Sequence, residues 1–149
     1  MRVNSGAIIL ARHPASTYAG YVVYEASGAK GLMASDPTYV AQSIAEGSFL
    51  NPGSVPDDTG QWKDGWQSLT MEGVLKWRQK WFDIILKNHP DIWFADELRL
   101  KKAVDQLALK NYQAGAADLE QLCATAKPEV AARAKVYLGL IKQKGWIKE

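Results

Sequence analysis

Cysteine and histidine are nearly missing from this chain, with one of the first and two of the second in 149 residues. A single cysteine excludes an internal disulfide, and no Cys/His cluster has the spacing of a zinc site. No apolar run approaches the ~20 residues that cross a bilayer, so no membrane partner is expected. MRVNSGAIILARHPAS has only a short apolar segment, with Arg12 and His13 directly after it, and does not read as a signal peptide. A cytoplasmic protein is the expectation. The sequence also has no phosphate-binding Gly-Lys-Ser/Thr loop, no G-x-S-x-G turn and no H-E-x-x-H. No cofactor or metal is therefore expected.

A strong charge of one sign is lacking too. The net charge is +2, but residues 1–70 carry −2 and residues 71–149 carry +4. Most of the excess follows Ala126, where Arg133, Lys135 and Lys142 belong to a basic C-terminal segment. Such a face is usually just solvated, and contact with an acidic partner is the sharper reading. What the chain does have is apolar material: 47% hydrophobic residues and six tryptophans, enough for a packed core in one domain.

The most periodic stretch, Thr70–Lys87, predicts an amphipathic helix with Thr70 as N-cap. Val74, Leu75, Trp77, Trp81, Phe82, Ile84, Ile85 and Leu86 fill an apolar arc of about 200°, wide enough to be covered on two sides. Arg78 projects from the middle of that arc. It is either a snorkelling side chain or a guanidinium fork held for a carboxylate or phosphate.

Before this helix, Ala7–Leu10 and Tyr21–Tyr24 are short apolar runs separated by HPASTYAG, and predict a small N-terminal hairpin. Ser27–Gly31 ends it in a turn. Asp36-Pro37 starts a short helix over Thr38–Glu46. Residues 47–65 are rich in Pro, Gly and Asp and predict a long surface loop, in which Trp62 and Trp66 pack back or meet a ligand. After His89-Pro90, three helices are expected, ending near Lys110, at Thr125 and at Lys144, with Gly145 as the last stop. Their apolar stripes are Leu100, Ala103, Val104 and Leu107, then Ala116, Leu119, Leu122 and Cys123, then Val130, Ala134, Tyr137, Leu138 and Ile141. The expected fold is thus α+β and mostly α: an N-terminal strand pair with one helix in 1–50, a loop over 51–68, and a bundle of about four helices in 69–149, as one domain.

Segment 97–145, with small residues in two short helices and Pro128 at their junction with the next, resembles a tetratricopeptide-type helical hairpin. With Pro128 at the repeat junction, Ala116 falls on that family's small residue, while the aromatic positions of its first helix are missing. The resemblance implies a helical binding or assembly surface. Arg12-His13 after an apolar run also resembles the start of the histidine phosphatases, which implies a phosphoryl-accepting His13 with His89 as its partner. Three readings of function follow. The leading one is a non-enzymatic interaction or assembly module, alone or as a subunit of a larger complex, acting through its C-terminal helices on a protein partner or on itself. The second is a phosphoryl-handling hydrolase using Arg12 and His13. The third, less favoured, has nucleic acid on the basic last helix.

Overall fold

The computed structural model of the protein describes residues 3–61 and 65–148. In chain order it contains α1 (Val3–Arg12), α2 (Thr17–Ser27), α3 (Ala29–Met33), α4 (Pro37–Ala45), β1 (Gly53–Pro56), β2 (Trp66–Leu69), α5 (Met71–Asn88), α6 (Ala95–Ala108), α7 (Tyr112–Thr125) and α8 (Pro128–Gln143). Two compact units share these elements: residues 1–28 with 51–95, and residues 29–50 with 96–149.

The first unit corrects the expected N-terminal strand pair. Ala7–Leu10 lies inside α1 and Tyr21–Tyr24 inside α2. Local chemistry favours the helix: the Ser16 hydroxyl accepts a hydrogen bond from the Ala19 amide at 3.1 Å, and Gly28 takes the left-handed conformation (φ 80°) after Ser27. Burial on α2 is contiguous through Val22, Val23 and Tyr24 instead of alternating, as a helix with a wide buried face requires. Over four residues, an apolar run carries no period that separates a strand from a buried helix. Gly20 lets α2 come close to its neighbours, since a Cβ there would lie 3.3 Å from Ile92 and 3.5 Å from Ile85.

The two strands among the described residues sit where a long loop was expected. β1 and β2 pair antiparallel, Ser54 opposite Ser68 and Val55 opposite Gln67, with the serine hydroxyls 3.3 Å apart. Val55 is buried. Only four residues on each side pair, too few for a strand period to stand out between the prolines and glycines around them. The hairpin contacts α1 and α5.

Helix α5 begins as expected, with the Thr70 hydroxyl accepting from the Gly73 amide at 3.1 Å and His89 as C-cap. Its buried face is Val74, Leu75, Trp77, Trp81, Phe82 and Ile85. The outer side carries the exposed Lys76–Glu72 pair at 2.9 Å, four residues apart.

In the second unit, Asp36 caps α4 through its bond from the Thr38 amide at 2.9 Å, with Pro37 in the first turn. Leu32 and Val40 join Leu100, Ala103, Val104 and Leu107 of α6, Ala116, Leu119 and Leu122 of α7, and Val130, Ala134, Tyr137 and Ile141 of α8 in one core. Helix α6 is the most enclosed element: every residue from Phe94 to Leu109 is at least partly buried. Gly115 is needed for the close approach of α7 to α6, because a Cβ would fall 2.7 Å from Leu107 Cδ2 and 3.1 Å from the Ala103 carbonyl. The Tyr137 hydroxyl is buried without a hydrogen-bond partner, and its burial pushes the phenol well above the ordinary tyrosine range.

Candidate functional site

The C-terminal part forms a cavity of about 510 Å³, walled by Gln113, Ala116, Ala117 and Glu120 of α7 and by Gly145, Trp146, Ile147 and Lys148. Its second wall is a folded-back tail. At the end of α8, the Trp146 amide bonds the Ile141 carbonyl and the Gly145 amide the Lys142 carbonyl, each at 3.0 Å, with Gly145 left-handed at φ 74°. This pair of bonds satisfies terminal carbonyls of the helix and reverses the chain. Trp146 then stacks on Tyr112 (centroids 5.0 Å, 16° between planes), and the Lys144 ammonium lies 5.9 Å from the Trp146 ring. Two side chains thus hold the tail against the start of α7. Small residues at Ala116 and Ala117 leave room between the walls. Gln113, Glu120 and Lys148 put an amide and both signs of charge at the rim.

A second feature of this unit is a row of charged residues on α6. Glu97, Lys101 and Asp105 follow one another at four-residue spacing on α6, and all three are buried. The Lys101 ammonium is 3.2 Å from Asp105 Oδ1 and 4.5 Å from the Phe49 ring centroid. Lys127 Nζ approaches Glu97 Oε1 at 3.4 Å, while Glu97 Oε2 is buried without a hydrogen-bond partner. Beside it, Asp96 accepts from Arg99 and from the Lys127 backbone amide, both at 2.9 Å, and so ties the α7–α8 junction to the start of α6. In sequence such spacing describes an exposed helix face laced by ion pairs. Here it is an ionic row inside the fold. With Lys127 beside Glu97, two carboxylates and two ammonium groups compensate one another.

In the first unit a carboxylate fastens the hairpin to α5. Asp58 Oδ2 accepts from Lys80 Nζ and from Trp81 Nε1, each at 2.8 Å, and Oδ1 accepts from the Gln67 amide at 3.1 Å. Burial alone would raise this carboxyl's pKa. The bonds from Lys80, Trp81 and Gln67 together with the lysine charge outweigh it and hold the group below its ordinary 3.8. The unfolded chain therefore takes up this proton first. The stabilisation is complete above pH 3.8 and is lost as pH falls through the lower folded value. Asp58→Asn is expected to flatten that part of the acid-unfolding curve; superimposable curves for the two proteins below pH 4 would contradict the assignment.

Among the described residues, those singled out from sequence divide between the two units. Arg12 ends α1, His13 follows it, and both are exposed. With a helix in place of the strand, the feature on which the resemblance to histidine phosphatases rested is gone. His89 lies partly buried at the end of α5, its Nε2 2.9 Å from the Ala15 carbonyl, so its ring is engaged by the turn between α1 and α2. Arg78 is partly buried on α5, and Trp66 is exposed on β2. Trp62 lies outside the described residues. On α8, Arg133 donates to the Ser35 carbonyl at 2.8 Å, whereas Lys135 and Lys142 are exposed. Among the described residues, no three of His, Cys, Asp and Glu come together as a metal site, and no helix is long and apolar enough to cross a membrane. Cys123 is partly buried in α7. Neither family models, nor curated proteins, nor solved structures yield a significant match to this chain.

Proposed function

We propose that the protein is a binding or assembly module that receives a segment of a protein partner on its C-terminal helices, in the cavity between α7 and the 145–148 tail. The observation that carries this reading is the cavity itself. At about 510 Å³ it has the size of a specific ligand site, and it is walled by a helix and a tail held in place by ring stacking. Its rim offers an amide for peptide hydrogen bonds and charges of both signs, while Ala116 and Ala117 let a foreign backbone come close. Two fourteen-residue helices, α6 and α7, in close contact at Gly115, are consistent with the tetratricopeptide-like hairpin, whose use in that family is protein recognition. A photo-crosslinking amino acid in place of Gln113 should capture one protein reproducibly. Ala117→Trp, which fills the cavity from an exposed position, should abolish that crosslink without lowering stability. Crosslinking that is absent, or indifferent to Ala117→Trp, would remove the basis of this reading.

A further inference from the structure

The first unit displays aromatic rings that its core does not need. Tyr18 is 67% exposed, Tyr21 38% and Trp93 57%. Tyr18 and Tyr21 are three residues apart on α2 and so lie on one outward face. Tyr21 meets Phe94 edge-on (5.6 Å, 61°), and Trp93 stands nearly perpendicular to the same ring (5.1 Å, 87°). Phe94 is fully buried and stacks on the buried Tyr24 at 4.4 Å. Exposed Tyr21 and Trp93 therefore both rest on the buried Phe94, each ring set at a steep angle to it. Two exposed carboxylates belong to the same segments: Glu25 on the outward face of α2, four residues after Tyr21, and Asp91, two residues before Trp93.

We infer that this face docks a short proline-rich segment that carries arginine or lysine. The area decides against a second copy of the chain. Aromatic side chains bury about 150–250 Å² each, so at these exposures the three rings offer on the order of 300 Å². A standard interface needs about 800 Å² per partner. A polyproline II segment is a suitable occupant for so small a surface. It is pre-formed, loses little entropy on binding, leaves its carbonyls free for tyrosine hydroxyls, and seats its rings in furrows between aromatic side chains. Glu25 and Asp91 supply the charge that selects a basic residue in the segment.

The test is selection from a displayed library of Pro-x-x-Pro peptides with free flanking positions, against the intact protein. Proline-rich sequences with Arg or Lys in the flanks are expected to be enriched. Tyr18→Ser and Trp93→Ser should each weaken them about tenfold, and Glu25→Lys with Asp91→Lys should remove the preference for basic flanks. Tyr18 is exposed enough that its replacement leaves the fold intact, which separates lost binding from lost structure. The inference is overturned by no enrichment, by binders indifferent to both ring substitutions, or by acidic flanks. It is equally overturned if sedimentation shows a dimer that Trp93→Ser dissolves.

Discussion

Asp105→Ala should destabilise the protein by about 3–5 kcal/mol, as the removal of one partner from a buried ion pair does. Asp105 is fully buried, and its Oδ1 lies 3.2 Å from the equally enclosed Lys101 ammonium. The cost comes less from the lost attraction than from the charge balance broken in a place water cannot reach, where Lys101 has been desolvated and one of the carboxylates beside it is gone. The same reasoning makes a second, opposite forecast. Replacing both residues by apolar side chains of similar length, Lys101→Met with Asp105→Leu, should recover most of the loss, because neither charge then remains to be desolvated. Denaturant unfolding of the two variants beside the parent decides it. A single variant within about half a kcal/mol of the parent, the usual range for a surface position, would mean that Lys101 and Asp105 reach solvent.

Trp81→Ala belongs in the same range, about 3–5 kcal/mol, for a different reason: it empties a large volume from a buried site. Trp81 is 2% exposed and flanked on α5 by the fully buried Phe82 and Ile85. It also donates its indole N–H to Asp58, so two contributions are superimposed. Trp81→Phe separates them. It keeps most of the ring volume and removes the donor, and should cost about 1–2 kcal/mol. It should also weaken the acid dependence assigned to Asp58, since one of the bonds that depress that carboxyl's pKa is gone. Thermal or urea unfolding at neutral pH and near pH 3 measures both effects. Equal losses for Ala and Phe would show that the hydrogen bond, and not the filled volume, dominates.

Much of the helical frame is legible in the sequence itself. Thr70, Asp36 and Gly145 mark helix ends because a cap is made within a few residues of chain, from a hydroxyl, a carboxylate or a glycine and the backbone beside it. The stripes of α6, α7 and α8 were legible because fourteen to sixteen residues give a 3.6-residue period time to declare itself. The runs Ala7–Leu10 and Tyr21–Tyr24 are too short for that: their composition suits strands, yet they lie within helices. The true strands were hidden for the converse reason. Four paired residues a side, set among prolines and glycines, look like loop until the partner strand and the supporting helices are in place.

The candidate sites divide along the same line. Glycine after α8 announced a chain reversal. Nothing local announced that the tail beyond it would return to α7, because the stacking of Trp146 on Tyr112 joins residues thirty-four positions apart. A charged row at four-residue spacing has one sequence appearance and two fates, and only the elements packed over Glu97, Lys101 and Asp105 decide between a solvated face and a buried network. Aromatic residues pose the reverse ambiguity: Trp81 and Trp93 are the same residue type, one filling the core and one facing water. By itself the sequence determined where α5 begins and which faces of the C-terminal helices turn inward, since both follow from bonds and periods along the chain. The tertiary structure alone decided which charges are enclosed, which rings are displayed and where a cavity opens, since burial is set by residues distant in sequence.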